Sequence, residues 1–262
     1  MAVAGGDLDS KIIAVARMAT AIVRGYTFGG FVIAADGRES IADTRQVITD
    51  YKQKIHQIVP YPLSYCMRGY TLLGHRAGRG LDSGVLFNFN KEVSNALSSL
   101  ASAGFGGIGE YARALADAVH LRLKDISGKQ AIDFGGVRGF AQPQPIVTLL
   151  LDGYWQGIPE RVNVVFSQSN GQPLKPRVFN EPVEGSEPDF SGSQKIFNRC
   201  FPDGLAVGLC LSDLVCMARE YIQKCCDSNE DDCWGIGGRI HIATITPEEG
   251  FRWITGYEPI AI

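Results

Sequence analysis

The feature that most constrains the fold is a continuous apolar run near the start of the chain. The five residues from Phe31 to Ala35 carry no polar side chain, and the run ends at Asp36. A strand that is apolar at every position is typical of a strand covered on both faces. A second short strand precedes it, beginning near Thr20, and a tight glycine turn joins the two. The segment therefore predicts a buried β-hairpin with Thr20 at the mouth of one strand and Asp36 at the end of the next.

The rest of the chain predicts an α+β fold in which strands and helices occur in blocks. We expect extended segments at 53–58 and 63–67, a helix within 84–102, a helix at 110–126, strands at 146–152 and 162–167, and closing strands at 239–245 and 251–255. Ser193 and Ser212 are expected to cap two further helices, and segment 168–190, rich in Pro, Asn, Gly and Glu, is expected to be a loop. This order favours helices packed outside stacked sheets over a doubly wound parallel sheet.

Composition excludes several classes of protein. At 262 residues the chain is long enough for one large domain, and its net charge of −3 with scattered basic residues does not indicate nucleic-acid binding. No apolar run approaches the roughly 20 residues that span a bilayer, and the N-terminus lacks the features of a secretory signal. The seven cysteines have neither disulfide-scaffold nor metal-site spacing. We therefore expect a cytoplasmic protein that binds no membrane, nucleic acid, metal or cofactor.

The stretch TAIVRGYTFGGFVIAADGRES, residues 20–40, resembles the start of a proteasome β-type subunit, a family of the N-terminal nucleophile hydrolase superfamily. In that family a threonine opens the mature chain, and the aspartate that ends the second strand lies 16 positions later. Thr20 and Asp36 match this spacing without a gap, since 36 − 20 = 16. Lys54 matches the family's lysine if a spacer about two residues longer is allowed, and Lys52 is the gap-free alternative.

The resemblance implies further site residues and a fold. These are Arg38 in the segment after the aspartate, Ser40 beside the substrate backbone, Gly69 as a donor to the oxyanion, and Ser191 of the Ser-Gly-Ser segment near the nucleophile. The implied fold is a four-layer αββα sandwich of two stacked, mostly antiparallel sheets. Residues 1–19 would be a propeptide or N-terminal extension, and residues 20–262 a single domain.

The chemistry of this set can be stated without the family. A threonine hydroxyl is a poor nucleophile and needs a neighbouring base. If cleavage made Thr20 the first residue, its own α-amine, with a pKa of roughly 7.7 to 8.0, would be a suitable base. Lys54 would lower the pKa of that amine, Asp36 would hold Lys54, and Gly69 would stabilise the tetrahedral oxyanion.

Two functions remain open from the sequence. The first is a threonine peptidase that hydrolyses polypeptides within a ring or with related subunits. The second is a catalytically inactive structural or gating subunit that stays unprocessed. The chain departs from the family at Ala19, where self-processing members usually have glycine, and at Arg68 beside the oxyanion glycine. It also departs at Cys233, where an acidic residue is expected and Asp231 and Asp232 are adjacent.

Overall fold

The computed structural model describes residues 12–18, 20–41, 46–75, 85–127, 132–133, 143–169, 172–183, 187–206 and 208–260. The strands are β1 (Ile12–Met18), β2 (Ile22–Thr27), β3 (Gly30–Ala35), β4 (Glu39–Ile41), β5 (Val47–Thr49), β6 (Ile55–Ile58), β7 (Leu63–His75), β8 (Val85–Asn88), β9 (Ile132–Asp133), β10 (Gln144–Trp155), β11 (Ile158–Ser169), β12 (Gln172–Pro173), β13 (Arg177–Glu181), β14 (Asp189–Ser191), β15 (His241–Thr246) and β16 (Gly250–Trp253). The helices are α1 (Phe89–Leu100), α2 (Ile108–Ser127), α3 (Gln194–Cys200) and α4 (Leu211–Cys226), and a short 3₁₀ turn covers Asp231–Cys233.

The strands form two sheets. The larger sheet has the order β12-β11-β10-β7-β1-β4-β5, with β13 beside β11, β6 and β8 beside β7, and β9 beside β1. The smaller sheet has the order β14-β2-β3-β15-β16. The described strand pairs are antiparallel apart from the short parallel pair of β1 and β9.

Three apolar clusters hold four layers together. One lies between the larger sheet and helices α1 and α2, a second between the smaller sheet and helices α3 and α4, and a third between the two sheets. Burying each face of a sheet against a helix layer or against the other sheet is the stable way to cover both sides. The predicted four-layer αββα sandwich is therefore confirmed.

The position of strand β3 between two apolar layers explains why its sequence is apolar at every position. Phe31, Ile33 and Ala35 point into the cluster between the sheets, whereas Val32 and Ala34 pack towards α4. Successive side chains of a strand face opposite sides, so a strand in the middle of a sandwich has no side left for a polar residue. The strand ends where Asp36 leaves the apolar layers.

Arg24 crosses the space between the two sheets. Its side chain is fully buried, and its guanidinium lies 3.4 Å from Asp152 of β10 and contacts Glu181 of β13. Asp152 also accepts a hydrogen bond of 3.0 Å from Arg161. Buried charges of this kind are stable only when several partners share them, so this cluster fixes the position of one sheet over the other.

Two expectations from the sequence are wrong. Segment 168–190 is not a single loop, because β13 pairs with β11 and β14 pairs with β2. The mostly exposed residues of β13 gave no apolar alternation that would have indicated a strand.

The second wrong expectation is that Ser212 caps a helix. Helix α4 begins at Leu211, so Ser212 lies in its first turn, and the backbone N–H of Cys210 donates to the Asp213 carboxylate, 3.1 Å away. Ser193 does cap α3, accepting a hydrogen bond of 3.1 Å from the N–H of Ile196.

A strand also lies before Thr20, where the sequence indicated only an extension. β1 pairs with β7 from Ile12 to Met18 and with β4 at Ala16 and Arg17. It is therefore an internal strand of the larger sheet and separates β7 from β4.

His241 of β15 makes the stability of the fold depend on pH. The side chain is fully buried, and neither ring nitrogen has a hydrogen-bond partner among the described residues. Burial, assisted by the positive charges of Arg239 and Lys54, lowers the pKa of His241 from 6.5 to about 4. His241 of the unfolded chain therefore becomes protonated near pH 6.5, whereas His241 of the folded chain stays neutral until about pH 4. Because the unfolded state binds this proton first, the free energy of unfolding falls as the pH drops from about 6.5 towards 4, by up to about 3 kcal/mol.

We predict that His241→Asn removes most of this contribution, since asparagine does not titrate. Urea unfolding at pH 7.5 and pH 4.5 measures the difference. His120→Asn, at a half-buried position on α2 where burial lowers the pKa less strongly, is the comparison and should change the difference less than His241→Asn does. An unchanged difference between the two pH values in His241→Asn would contradict the prediction.

Candidate active site around Thr20

The centre of the candidate site is a buried ion pair in contact with Thr20. Lys54 Nζ lies 2.9 Å from Asp36 Oδ1, and both side chains are fully buried. The same Nζ lies 3.4 Å from Thr20 Oγ1 and donates a hydrogen bond to it. The hairpin register produces this arrangement, because Ile22 pairs with Ala35 and so brings the residues before β2 next to the residue after β3.

Both oxygens of the Asp36 carboxylate accept hydrogen bonds from the backbone. Its Oδ1 accepts from the N–H of Ala21 at 3.0 Å, and its Oδ2 accepts from the N–H groups of Arg38 at 3.2 Å and Gly237 at 3.0 Å. Gly237 has a φ of +158°, a conformation that residues with a side chain rarely adopt, which explains the glycine there. The carboxylate is therefore held by the hairpin, by the turn after it and by the loop that leads into β15.

Burial changes the pKa values of both partners in the ion pair. It raises the pKa of Asp36, against the opposing effect of Lys54 and the backbone N–H donors. Burial also lowers the pKa of Lys54, against the attraction of Asp36. The ammonium of Lys54 consequently gives up a proton more readily than that of a lysine on the surface.

The structure distinguishes the two lysines left open by the sequence. Lys54 contacts Thr20 and Asp36, whereas Lys52 Nζ lies 3.3 Å from Glu39. Glu39 also accepts a hydrogen bond of 3.0 Å from the Thr71 hydroxyl. Lys52 therefore belongs to a neighbouring polar cluster.

Gly69 lies on β7 at the point where β1 ends. Its partners are Met18 of β1 and Val147 of β10, and its φ is +112°. A Cβ at this position would lie 2.4 Å from the carbonyl oxygen of Ile146, so only glycine fits.

Ser40 lies on β4, which pairs with β1 on the side opposite to β7. It pairs with Arg17, and its hydroxyl has no hydrogen-bond partner among the described residues.

Ser191 and Arg68 meet across an open cleft. Arg68 Nη1 donates a hydrogen bond of 2.8 Å to Ser191 Oγ. Both residues line a cleft of about 630 Å³ together with Thr20, Gly69 and Asp232. The cleft is thus bounded by strands of both sheets and by the 3₁₀ turn that follows α4.

The hydrogen bond between Ser193 and Asp232 was missed by the sequence reasoning. Ser193 Oγ donates to Asp232 Oδ2 at 2.8 Å, and the hydroxyl is held in place because it also caps α3. Gap-free counting placed the expected acidic residue at Cys233, with Asp231 and Asp232 adjacent. The structure places Asp232 in hydrogen-bond contact with Ser193.

The chain resembles solved structures of Anbu proteins. One is Anbu (ancestral beta-subunit) from Yersinia bercovieri, with a TM-score of 0.56 and 14% identity over 92% of this chain and 88% of that one. Two others are Anbu structures from Hyphomicrobium sp. strain MC1, with TM-scores of 0.55 and 0.54, identities of 14% and 13%, and coverage of 90% of this chain and 87% and 88% of theirs. No protein-family model and no curated protein matches the chain.

The resemblance to a proteasome β-type subunit is therefore corrected. The structural neighbours are Anbu proteins, a proteasome-like but distinct family. The sequence features behind that resemblance are the hairpin spacing, the buried apolar run and the closing strands. Because the shared fold itself requires these features, they cannot distinguish one family with this fold from another. At 14% identity the likeness shows the fold alone.

Neither a metal site nor a membrane helix is found in the part of the chain that the structure describes. No group of three or more His, Cys, Asp or Glu side chains there is arranged to bind a metal ion. None of the helices described combines the length and the apolar character needed to cross a membrane.

We predict that Lys54→Met destabilises the fold by about 3–5 kcal/mol, because it leaves the Asp36 carboxylate buried without its counter-charge. Urea unfolding of the full chain measures the loss. Lys224→Met is the matched control, since Lys224 makes an exposed ion pair with Glu220 and its removal should leave the stability close to that of wild type. The double variant Lys54→Met/Asp36→Asn should recover part of the loss, and equal stability of Lys54→Met and Lys224→Met would contradict the prediction.

Proposed function

We propose that the protein is a threonine-type hydrolase of peptide bonds whose nucleophile is the hydroxyl of Thr20. The observation that carries the proposal is the contact of Thr20 Oγ1 with a lysine that is itself held by a buried aspartate, at the edge of an open cleft. A hydroxyl needs such a neighbouring nitrogen to become a nucleophile. The mechanism requires a free Thr20, which is produced by cleavage of the bond between Ala19 and Thr20.

Lys54 is the group best suited to start that cleavage. In the uncleaved chain Thr20 has no free amine. The lowered pKa of Lys54 makes loss of its ammonium proton to solvent easier, and the neutral ε-amine that results takes the hydroxyl proton. The Thr20 oxygen attacks the Ala19 carbonyl carbon, the bond to the Thr20 nitrogen breaks, and Lys54 gives that nitrogen the proton it removed from the hydroxyl. Water then hydrolyses the resulting ester, which releases the leader as a carboxylate and leaves Thr20 with a free α-amine.

The free α-amine then serves as the base for later substrates. Its ordinary pKa of roughly 7.7 to 8.0 suits proton transfer near neutrality. We assign the positioning of this amine to the Asp232 carboxylate, which lines the same cleft and is oriented by Ser193. Gly69 is the proposed backbone donor to the oxyanion, a role supported by its pairing with Met18, the second residue before the scissile bond.

The proposed substrate is an extended polypeptide that adds to the larger sheet. Support comes from β1, which lies between β7 and β4 and ends at Met18, two residues before Thr20. Peptides that bind as an added strand obtain affinity from main-chain hydrogen bonds. We also propose that copies of the chain, or related subunits, assemble, in keeping with the description of one structural neighbour as an ancestral beta-subunit.

We predict that Thr20→Ala abolishes both leader cleavage and hydrolysis of a fluorogenic peptide, because no nucleophile remains. Thr20→Ser should retain both, since it keeps the hydroxyl. Intact mass detects the loss of residues 1–19, and Ser98→Ala, which removes an exposed hydroxyl on α1, serves as the control.

A full-length mass that persists on long incubation would favour the second candidate, a structural or gating subunit that stays unprocessed. The observation in its favour is that β1 is an integral strand of the sheet and fills the position proposed for substrate. Equal peptide hydrolysis by wild type and Thr20→Ala would rule out the threonine mechanism.

We further predict that the released leader inhibits the processed enzyme, because cleavage of one bond leaves the pairing of β1 with β7 and β4 intact. A synthetic peptide KIIAVARMA, residues 11–19, should raise the apparent KM of processed enzyme for a fluorogenic peptide. The same peptide with proline in place of Arg17 should inhibit at least about tenfold more weakly, since proline has no N–H at the residue that pairs with both Ser40 and Tyr70. Equal inhibition by the two peptides would show that the leader does not bind as a strand.

A further inference from the structure

The Arg68 guanidinium lies at the mouth of the candidate site. The residue is exposed and lies on β7 directly before Gly69. Among the described residues its hydrogen-bond partner is the neutral hydroxyl of Ser191, 2.8 Å from Nη1. This contact holds the side chain across the cleft that contains Thr20.

Arg68 differs from the other cations near the site in having no carboxylate beside it. Arg38 is paired with Asp50, Lys52 with Glu39 and Lys54 with Asp36. Within the described residues no carboxylate oxygen lies within 4.0 Å of Arg68. An arginine that lines an open cleft and is held by a neutral partner is suited to bind a carboxylate through two hydrogen bonds.

The side of the scissile bond that this carboxylate would occupy follows from β1. The acyl side of the bond is the path of β1, between β7 and β4. Arg17 and Met18 of β1 pair with Tyr70 and Gly69, and Arg68 is the next residue of β7 beyond the last of these pairs. A group bound by Arg68 would therefore lie past the end of β1, on the side of the substrate that leaves as an amine. Asp231 and Asp232 line the same cleft, and their charge suits the ammonium that the leaving group becomes.

We infer that Arg68 selects substrates that carry a carboxylate in the first residue after the scissile bond. The carboxylate comes from an Asp or Glu side chain, or from the C-terminus when that residue is the last of the substrate. This inference rests on the proposed hydrolase function and specifies its substrate class. A charge-assisted hydrogen bond at the site gives an expected preference of about 10- to 100-fold in kcat/KM over an uncharged analogue.

The test uses the protein after cleavage before Thr20. The peptides share one sequence on the N-terminal side of the scissile bond. One pair carries Asp or Asn in the first residue after the scissile bond, within a longer amidated peptide. A second pair ends at that residue, as a free acid or as an amide. A preference for Asp identifies the side chain as the source of the carboxylate, and a preference for the free acid identifies the C-terminus.

Arg68→Gln should reduce either preference to about 1, and Arg68→Glu should invert it in favour of a Lys peptide. Arg122→Gln, which removes an exposed arginine on α2, is the matched control and should leave the preference as it is in wild type. Circular dichroism melts verify that the variants are folded.

The outcomes separate this inference from the function on which it rests. No hydrolysis of any peptide, neutral ones included, by a protein with an exposed Thr20 would overturn the proposed hydrolase. Hydrolysis at equal kcat/KM for acidic and neutral peptides would overturn the role of Arg68 and leave the hydrolase standing. A preference that survives in Arg68→Gln would also overturn the role of Arg68.

Discussion

The buried ion pair of Lys54 and Asp36 is the interaction on which the rest of the structure depends. Removing two opposite charges from water costs several kcal/mol for each ion, and their attraction offsets this only with good geometry and further hydrogen bonds. Three backbone N–H groups supply those bonds, from Ala21, Arg38 and Gly237. The first two belong to the opening hairpin and its turn, whereas Gly237 lies some 200 residues later. The charge pair therefore ties the two ends of the chain together at one place.

A second buried charge cluster explains why the site keeps its shape. Arg24 lies two residues after Ile22 on β2 and reaches Asp152 and Glu181 of the larger sheet. Ile22 lies in the apolar layer between the sheets. Because unpaired buried charges are costly, the sheets cannot slide over one another without breaking this cluster. The cleft between Arg68 of one sheet and Ser191 of the other depends on that fixed relation.

The sequence predicted the parts of the structure that depend on local spacing. The run from Phe31 to Ala35 indicated a strand covered on both faces, and the hairpin register alone brings Thr20 close to Asp36. The contacts of Ser193 with Asp232 and of Arg68 with Ser191 join segments far apart in sequence, and no spacing encodes them. Strand β1 was missed for a similar reason, since its pairing depends on an edge that β7 and β4 provide together.

Under the proposed function, strand β1 has two effects on the site. It carries the bond that is cleaved, and it occupies the position proposed for substrate. The strand that fills the path between β7 and β4 is the same segment whose C-terminal end carries the bond to Thr20. Met18 pairs with Gly69, and Lys54 Nζ lies 3.4 Å from Thr20 Oγ1. Under the proposed function, this fixed geometry would favour attack by reducing the freedom of the reacting groups. The same pairing would persist after the bond is cut, because it involves main-chain groups that cleavage does not alter. The leader would then compete with every later substrate. Arg68 lies beyond Gly69, the last residue of β7 that pairs with β1, so its proposed contact would give substrates an interaction that the leader does not use.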